Sequence, residues 1–203
     1  VTDAVAELAK HFEWTGPIGC TFPGVVRDGL TWTAANVDTG WIGLDAHRLV
    51  QRKTNCPVLV INDADAAGIA EMHFGAGRHQ GGTVIMITLG TGIGSAIFLN
   101  GHLLPNAELG HLQIRGKDAE HRASARIREE KALSWKRWGA LVNEYFQYVE
   151  FLFSPNLFIV GGGVSKKYDK FFPYIDVRAE LVPALLRNDA GIVGAAYAAR
   201  DLV

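Results

Sequence analysis

The chain has 203 residues, above the ~100 to 150 typical of one domain, so it makes either one large domain or two modest lobes. With 48% hydrophobic and 20% charged residues it is neither a disordered tail nor a coiled coil, and a formal charge of −1 excludes a chain-wide basic field for nucleic acid. The longest apolar runs, 58–61 and 84–87, fall far short of the ~20 residues of a membrane helix, and two isolated cysteines, Cys20 and Cys56, exclude a cysteine-built zinc site and fit a reducing cytoplasm.

Thr2 or Asp3 can cap an opening helix whose apolar positions Val5, Leu8, Ala9 and Phe12 recur at helical spacing, and Gly16-Pro17 stops it. Residues 18–22 read as a buried strand, and Asp28-Gly29 between the β-formers of 25–32 predicts a hairpin. A short amphipathic helix follows over 45–53. The β-branched run 58–61 reads as a strand covered on both faces, and an Ala-rich helix over 64–74 completes a strand-helix unit. Four glycines within 75–82 mark a hinge and a lobe boundary. Strands are predicted over 83–89 and 94–99, the second joined to 102–104 by an Asn100-Gly101 turn. Trp135, Trp138, Val142, Tyr145, Val149 and Leu152 keep 3,4 spacing until Ser154-Pro155, which predicts one long helix. A strand over 157–160 runs into Gly161-Gly162-Gly163, and a small-residue helix closes the chain over 190–200. The expected organisation is α/β, with domains at 1–77, 78–189 and 190–203, the last packing back toward the first.

Asn62 and Asp63 stand at the carboxyl end of a strand and the start of a helix, where α/β sheets place ligand groups, although either could serve only as the helix N-cap. Gly90-Thr91-Gly92-Ile93-Gly94 allows backbone N–H groups to approach a phosphate, or makes no more than a tight β-turn; it is neither a Walker A loop nor a Rossmann fingerprint. Glu108, His111, Glu120 and His121 supply the acceptors and donors that sugar hydroxyls need, the alternatives being a solvated loop and a satisfied histidine. Gly161-Gly162-Gly163-Val164 forms a strand-to-helix turn suited to an anion, with Lys166, Lys167 and Lys170 beyond it. Between 115 and 137, eight basic residues (Arg115, Lys117, Arg122, Arg126, Arg128, Lys131, Lys136, Arg137) outnumber four acids, giving either a local polyanion track or a solvated helix face.

In order, Thr-Phe-Pro-Gly (21–24), Asn-Asp-Ala-Asp-Ala-Ala-Gly (62–68), Leu-Gly-Thr-Gly-Ile-Gly (89–94), Glu-Leu-Gly-His (108–111) and Gly-Gly-Gly-Val-Ser (161–165) resemble the ROK family of sugar kinases. The stretches 105–111, 158–163 and 190–196 resemble in particular its polyphosphate-using glucokinase branch. The resemblance implies a two-lobed, actin-like or hexokinase-type (ribonuclease H-like) fold closing over a hexose. It implies phosphoryl transfer from polyphosphate, and also ATP, to the 6-hydroxyl of glucose or mannose, with Mg2+, in a cytoplasmic homodimer. On that pattern Asp63 is the general base, and Gly24, Asn62, Glu108, His111 and Glu120 hold the sugar. Gly90, Thr91, Gly92 and Gly94 face the donor phosphates, as do Gly161, Gly162, Gly163, Val164, Lys166 and Lys167.

Two departures from the family pattern stand out. The Cys-rich zinc loop of many members is replaced here by Gly-Lys-Asp-Ala-Glu-His (116–121), so no zinc is expected. The family's opening Asp-x-Gly-Gly-Thr phosphate loop is not among these residues, and the chain starts at Val1 without Met. A small lobe incomplete at its N-terminus is therefore expected, and an ATP-only hexokinase or a catalytically dead sugar-binding fragment are the alternatives to an active polyphosphate kinase.

Overall fold

A computed structural model describes residues 1–34 and 37–202. The chain divides into two compact units, Val1–Ala70 with Asp189–Val203, and Glu71–Asn188. The division falls between Ala70 and Glu71, upstream of the boundary expected in the glycine-rich segment.

In the first unit, helix α1 (Thr2–His11) precedes strand β1 (Ile18–Phe22). Neither Thr2 nor Asp3 caps α1: Val1 is the N-cap and makes no side-chain bond, while the Asp3 carboxylate binds Lys53 Nζ at 2.7 Å. Its apolar face is only partly covered: Val5 packs against this unit's core, whereas Leu8, at 58%, and the following Phe12, at 69%, stay exposed. The Asp28-Gly29 turn joins β2 (Val26–Arg27) to β3 (Leu30–Thr31), with φ of 51° and 78° at its two residues, the geometry that Asp-Gly tolerates best. Helix α2 (Ala46–Thr54) is capped by the Asp45 carboxylate, which accepts from Arg48 N at 2.8 Å. Strand β4 (Val58–Asn62) lies parallel to β1, with Phe22 opposite Asn62, and alternates buried and half-buried positions, so it is not covered equally on both faces. Phe22, Val26, Ala46, Val50, Val58 and Val60 pack as this unit's core.

Helix α3 (Asp63–Phe74) carries the chain into the second unit. There the segment 75–82 is pinned: Ala76 N donates to the buried Glu71 Oε2 at 2.8 Å, and Leu186 N to Glu71 Oε1 at 2.7 Å. The central sheet is built from β5 (Thr83–Leu89), β6 (Ile93–Leu99) and β7 (His102–Leu104), which form an antiparallel meander. Beyond a small hairpin, β8 (Gln113–Ile114) and β9 (Lys117–Asp118), come the short helices α4 (Glu120–Ala123) and α5 (Ala125–Glu130), and then the long helix α6 (Trp135–Phe153). Strand β10 (Leu157–Gly161) adds in parallel to β5, and β11 (Glu180–Pro183) in parallel to β10, giving the order β11-β10-β5-β6-β7. Trp138, Val142, Tyr145, Phe146 and Val149 of α6 are fully buried in the core with Ile85, Ile87, Phe158 and Val160, as the 3,4 spacing predicts; Leu152, by contrast, is 47% exposed.

The last helix, α7 (Ala190–Ala199), belongs to the first unit and approaches it more closely than side chains would allow. A Cβ on Gly194 would sit 1.7 Å from Ala66 O, and one on Gly19 2.0 Å from Ala195 O. No helix among the described residues is long and apolar enough to cross a membrane.

Candidate functional site

In the first unit the parallel register brings the Pro23-Gly24 turn beside the end of β4. Asn62 is buried and uses both ends of its amide: Oδ1 accepts from Ala64 N at 2.8 Å and Asp65 N at 3.0 Å, and Nδ2 donates to Gly24 O at 3.1 Å. The helix-capping role is therefore taken by Asn62, which also ties the glycine loop to the strand end. Asp63 remains exposed to solvent, with one carboxylate oxygen accepting from Ala64 N at 2.8 Å. Burial by the surrounding protein raises its pKa above the ordinary aspartate value, outweighing the backbone N–H groups that act in the opposite direction.

In the second unit Glu108, His111 and Glu120 come together. His111 Nδ1 lies 2.9 Å from Asp118 Oδ2 and His111 Nε2 lies 3.8 Å from Glu108 Oε2. The bond to Asp118 is the main cause that raises the His111 pKa, and Glu120 and Glu108 add to it against partial burial. Glu120, 9% exposed, accepts from Ile93 N at 3.3 Å, which attaches this group of side chains to the 90–94 segment. Gly110 also lies against this segment, since a Cβ there would fall 2.2 Å from Ile93 O. Ser95 Oγ donates to Ala107 O at 2.6 Å and accepts from Leu109 N at 2.9 Å, fixing the approach to this loop.

Gly90, Thr91 and Gly92 form the tight turn between β5 and β6, with Leu89 paired to Ile93, while Gly94 lies within β6 opposite Thr88. Gly162, at φ 82°, packs against the turn so closely that a Cβ would lie 2.3 Å from Leu89 O. Both glycine segments expected to face donor phosphates are thus neighbours. After Gly161, Gly162 and Gly163, however, the chain enters 3-10 turns over Gly163–Lys170, broken at Lys167, and not the α-helix expected there. Val164 is half-buried, and Lys166 and Lys167 are exposed.

Sequence reasoning missed Asp118, Gln113 and Arg126. Arg126 Nε donates to Thr91 O at 3.0 Å and its backbone N to Gly90 O at 3.1 Å, so a residue taken as part of a basic run holds the glycine turn. Within that run Arg115 and Arg122 both bind Glu144, at 2.5 and 2.7 Å, and Arg128 lies 3.5 Å over the Trp135 ring. Lys117, Lys131, Lys136 and Arg137 are exposed.

A model of the ROK family matches residues 1–125. The chain belongs to the ROK family. A polyphosphate glucokinase of Mycobacterium leprae is 45% identical over 199 residues, covering 98% of this chain and 61% of that protein. The polyphosphate glucokinase of Mycobacterium tuberculosis H37Rv is 46% identical over 98% of this chain and 75% of its own length. Among solved structures, the inorganic polyphosphate/ATP-glucomannokinase of Arthrobacter sp. strain KM superposes with a TM-score of 0.91 at 54% identity, over 97% of this chain and 79% of that one. A ROK family glucokinase of Streptomyces griseus, solved with glucose and AMPPNP, gives 0.82 at 25% identity over 98% and 87%. The mixed α/β fold is that of the ROK hexokinase-type sugar kinases, and this chain spans about three fifths to four fifths of the two first-named relatives and the glucomannokinase.

Proposed function

We propose that this ROK protein transfers a phosphoryl group from inorganic polyphosphate, and also from ATP, to the 6-hydroxyl of glucose, with mannose as a second acceptor. The observation that carries the reading is Asp63: a solvent-open carboxylate at a strand end, with a raised pKa, beside an asparagine locked to the Gly24 loop. Its position suits a group that receives a hydroxyl proton. The names of the relatives supply the donor and acceptor classes.

In this reading Asp63 accepts the proton of the 6-hydroxyl as the new O–P bond forms and the donor's terminal P–O bond breaks. The transition state is loose, so alignment and neutralisation of spreading charge are the main tasks of the protein. Glu108, His111, Glu120 and Asn62 hold the remaining hydroxyls, with Gly24 beside the ring. Backbone N–H groups of the Gly90–Gly94 segment and of Gly161, Gly162, Gly163 and Val164 meet the donor, and Lys166 and Lys167 its outer phosphates. Magnesium, held on the donor phosphates, would help neutralise the charge that spreads over the transferred group.

Glucose phosphorylation by the full-length protein, assayed with each donor across a salt series, tests the reading. Turnover is expected with both donors. The KM for polyphosphate should rise more steeply with salt than that for ATP, because exposed Lys117, Lys131, Lys136 and Arg137 act on a longer polyanion. Equal salt responses would overturn the polyanion track, and no turnover with either donor would overturn the kinase.

A further inference from the structure

The hairpin of β8 and β9 is only two residues long on each side, and its turn places Arg115 and Gly116 at φ 51° and 75°. Its register sets Gln113 opposite Asp118 and Ile114 opposite Lys117. Side chains alternate across a strand, so a buried Ile114 anchors one face to the second unit's core and turns Gln113 and Asp118 toward the other. There each oxygen of Asp118 has its own partner. Gln113 Nε2 donates to Oδ1, and Oδ2 meets His111 Nδ1 at 2.9 Å. Ala119 N donates to Leu112 O at 2.9 Å, holding together the backbone that joins the pair.

An imidazole without such a partner can rotate its ring and exchange tautomers, so its Nε2 would present a donor in some molecules and an acceptor in others. A carboxylate on Nδ1 removes that ambiguity, since it requires a proton on Nδ1 whether the ring is neutral or charged. The charged groups facing His111 are Glu108 from the preceding loop, Asp118 from β9 and Glu120 from α4, with His121 acting on Asp118. Only Asp118 binds Nδ1, whereas Glu108 lies on the Nε2 side.

We propose that Asp118 is a positioning residue for the sugar-phosphorylating reaction: it holds His111 with Nδ1 protonated and Nε2 aimed at a sugar hydroxyl, and Gln113 holds Asp118 in turn. The proposal rests on the kinase reading, because it assigns His111 a sugar to face. It also explains what the hairpin does. The segment Gln113–Asp118 has no core of its own beyond Ile114, yet its register is the one that brings a carboxylate back to a histidine seven residues earlier.

The test combines kinetics with NMR on the full-length protein, the His111 signal being assigned with His111→Gln. In the wild type, long-range 1H–15N spectra should show His111 protonated at Nδ1 and titrating above the ordinary histidine value. Asp118→Asn should move that titration to lower pH. It should raise the glucose KM about tenfold with little change in kcat, the size expected for losing one charge-assisted hydrogen bond at a half-exposed group. The limb of the kcat/KM profile that reports His111 should move to lower pH with it. Gln113→Ala, which leaves the hairpin backbone in place, should shift the same readouts in the same direction by less, and Asp118→Glu should recover part of the loss. An Asp118→Asn protein with unchanged His111 titration, or with unchanged glucose KM, overturns the proposal while leaving the kinase reading intact. A folded wild type that phosphorylates no hexose overturns the kinase reading, and the role of Asp118 with it.

Discussion

At the end of β4 two adjacent polar residues take opposite assignments, and the division has measurable consequences. Asn62 spends its amide on the helix cap and on Gly24 O, while Asp63 keeps a carboxylate open to solvent with a pKa raised by burial. The folded protein therefore holds the Asp63 proton more tightly than the unfolded chain does. Stability falls as pH rises from the ordinary aspartate range through the raised native value, and above that value the cost is present in full. Asp63→Asn removes the cost. At neutral pH the variant is expected to melt no lower than the wild type, while kcat for glucose falls by about 10² to 10⁴, the usual contribution of a general base. Scanning calorimetry and steady-state kinetics on the same samples check both halves. Retained turnover would take Asp63 out of the base role, and a lowered melting temperature would show that the ionised carboxylate stabilises the fold at this site instead of costing it. The sequence allowed either residue to be the cap. Nothing in residue order settles which of two neighbours turns inward; the β1–β4 register, which sets Phe22 opposite Asn62, does.

Helices and strands with strong periodicity were legible, and the weak ones were not. The 3,4 spacing of α6, the Asp-Gly and Asn-Gly turns and the β-branched runs all mark real elements, because each encodes a backbone preference within a few residues. Strand β11 gave no signal: its pairing to β10 lies at the sheet edge, where Pro183 is tolerated, and edge strands carry no obligatory apolar pattern. The two-residue strands β8 and β9 are too short to alternate, so Asp118 could not be linked to His111 from spacing. The pattern of α1 predicts the helix and leaves its burial open, since periodicity says nothing about what covers a face. The small residues of α7 were legible in kind, and the structure gives them magnitudes. A Cβ at Gly194 would meet Ala66 O at 1.7 Å, whereas one at Gly191 finds only Thr21 Cγ2 at 4.0 Å. Gly194→Ala should therefore cost about 3 kcal/mol or more through backbone displacement. Gly191→Ala should stay within about 1 kcal/mol of neutral, on the stabilising side. Urea denaturation of the two variants distinguishes them; equal effects would mean that α7 does not pack at this distance in solution.

Across the whole chain the two units differ in how much apolar surface they bury. Trp138, Tyr145, Phe146, Phe158 and Phe171 are all at 0% exposure in the second unit, and full burial of a large apolar side chain contributes about 1.5 to 3 kcal/mol. Among the described residues of the first unit Phe22 is the one aromatic in the buried cluster, and α1 contributes no buried residue. Val5, Leu8, Phe12, Trp14, Ile18 and Cys20 line an open apolar groove of about 320 Å³ there, beside a sheet of two strands. Within these 203 residues a parallel pair with one face so thinly covered has little to resist opening, while β5 and β10 are held on both sides by neighbouring strands and packed by α6. Native-state hydrogen exchange in low urea should show this directly. Amides of β5 and β10 are expected to exchange only through global unfolding, with a steep dependence on urea. Those of α1 and β1 should exchange through smaller openings, at lower free energy and with a shallow urea dependence. If amides of β1 and β5 shared one free energy and one slope, the chain would unfold as a single cooperative block, and the thin core of the first unit would have to be reinforced by contacts that burial alone does not reveal.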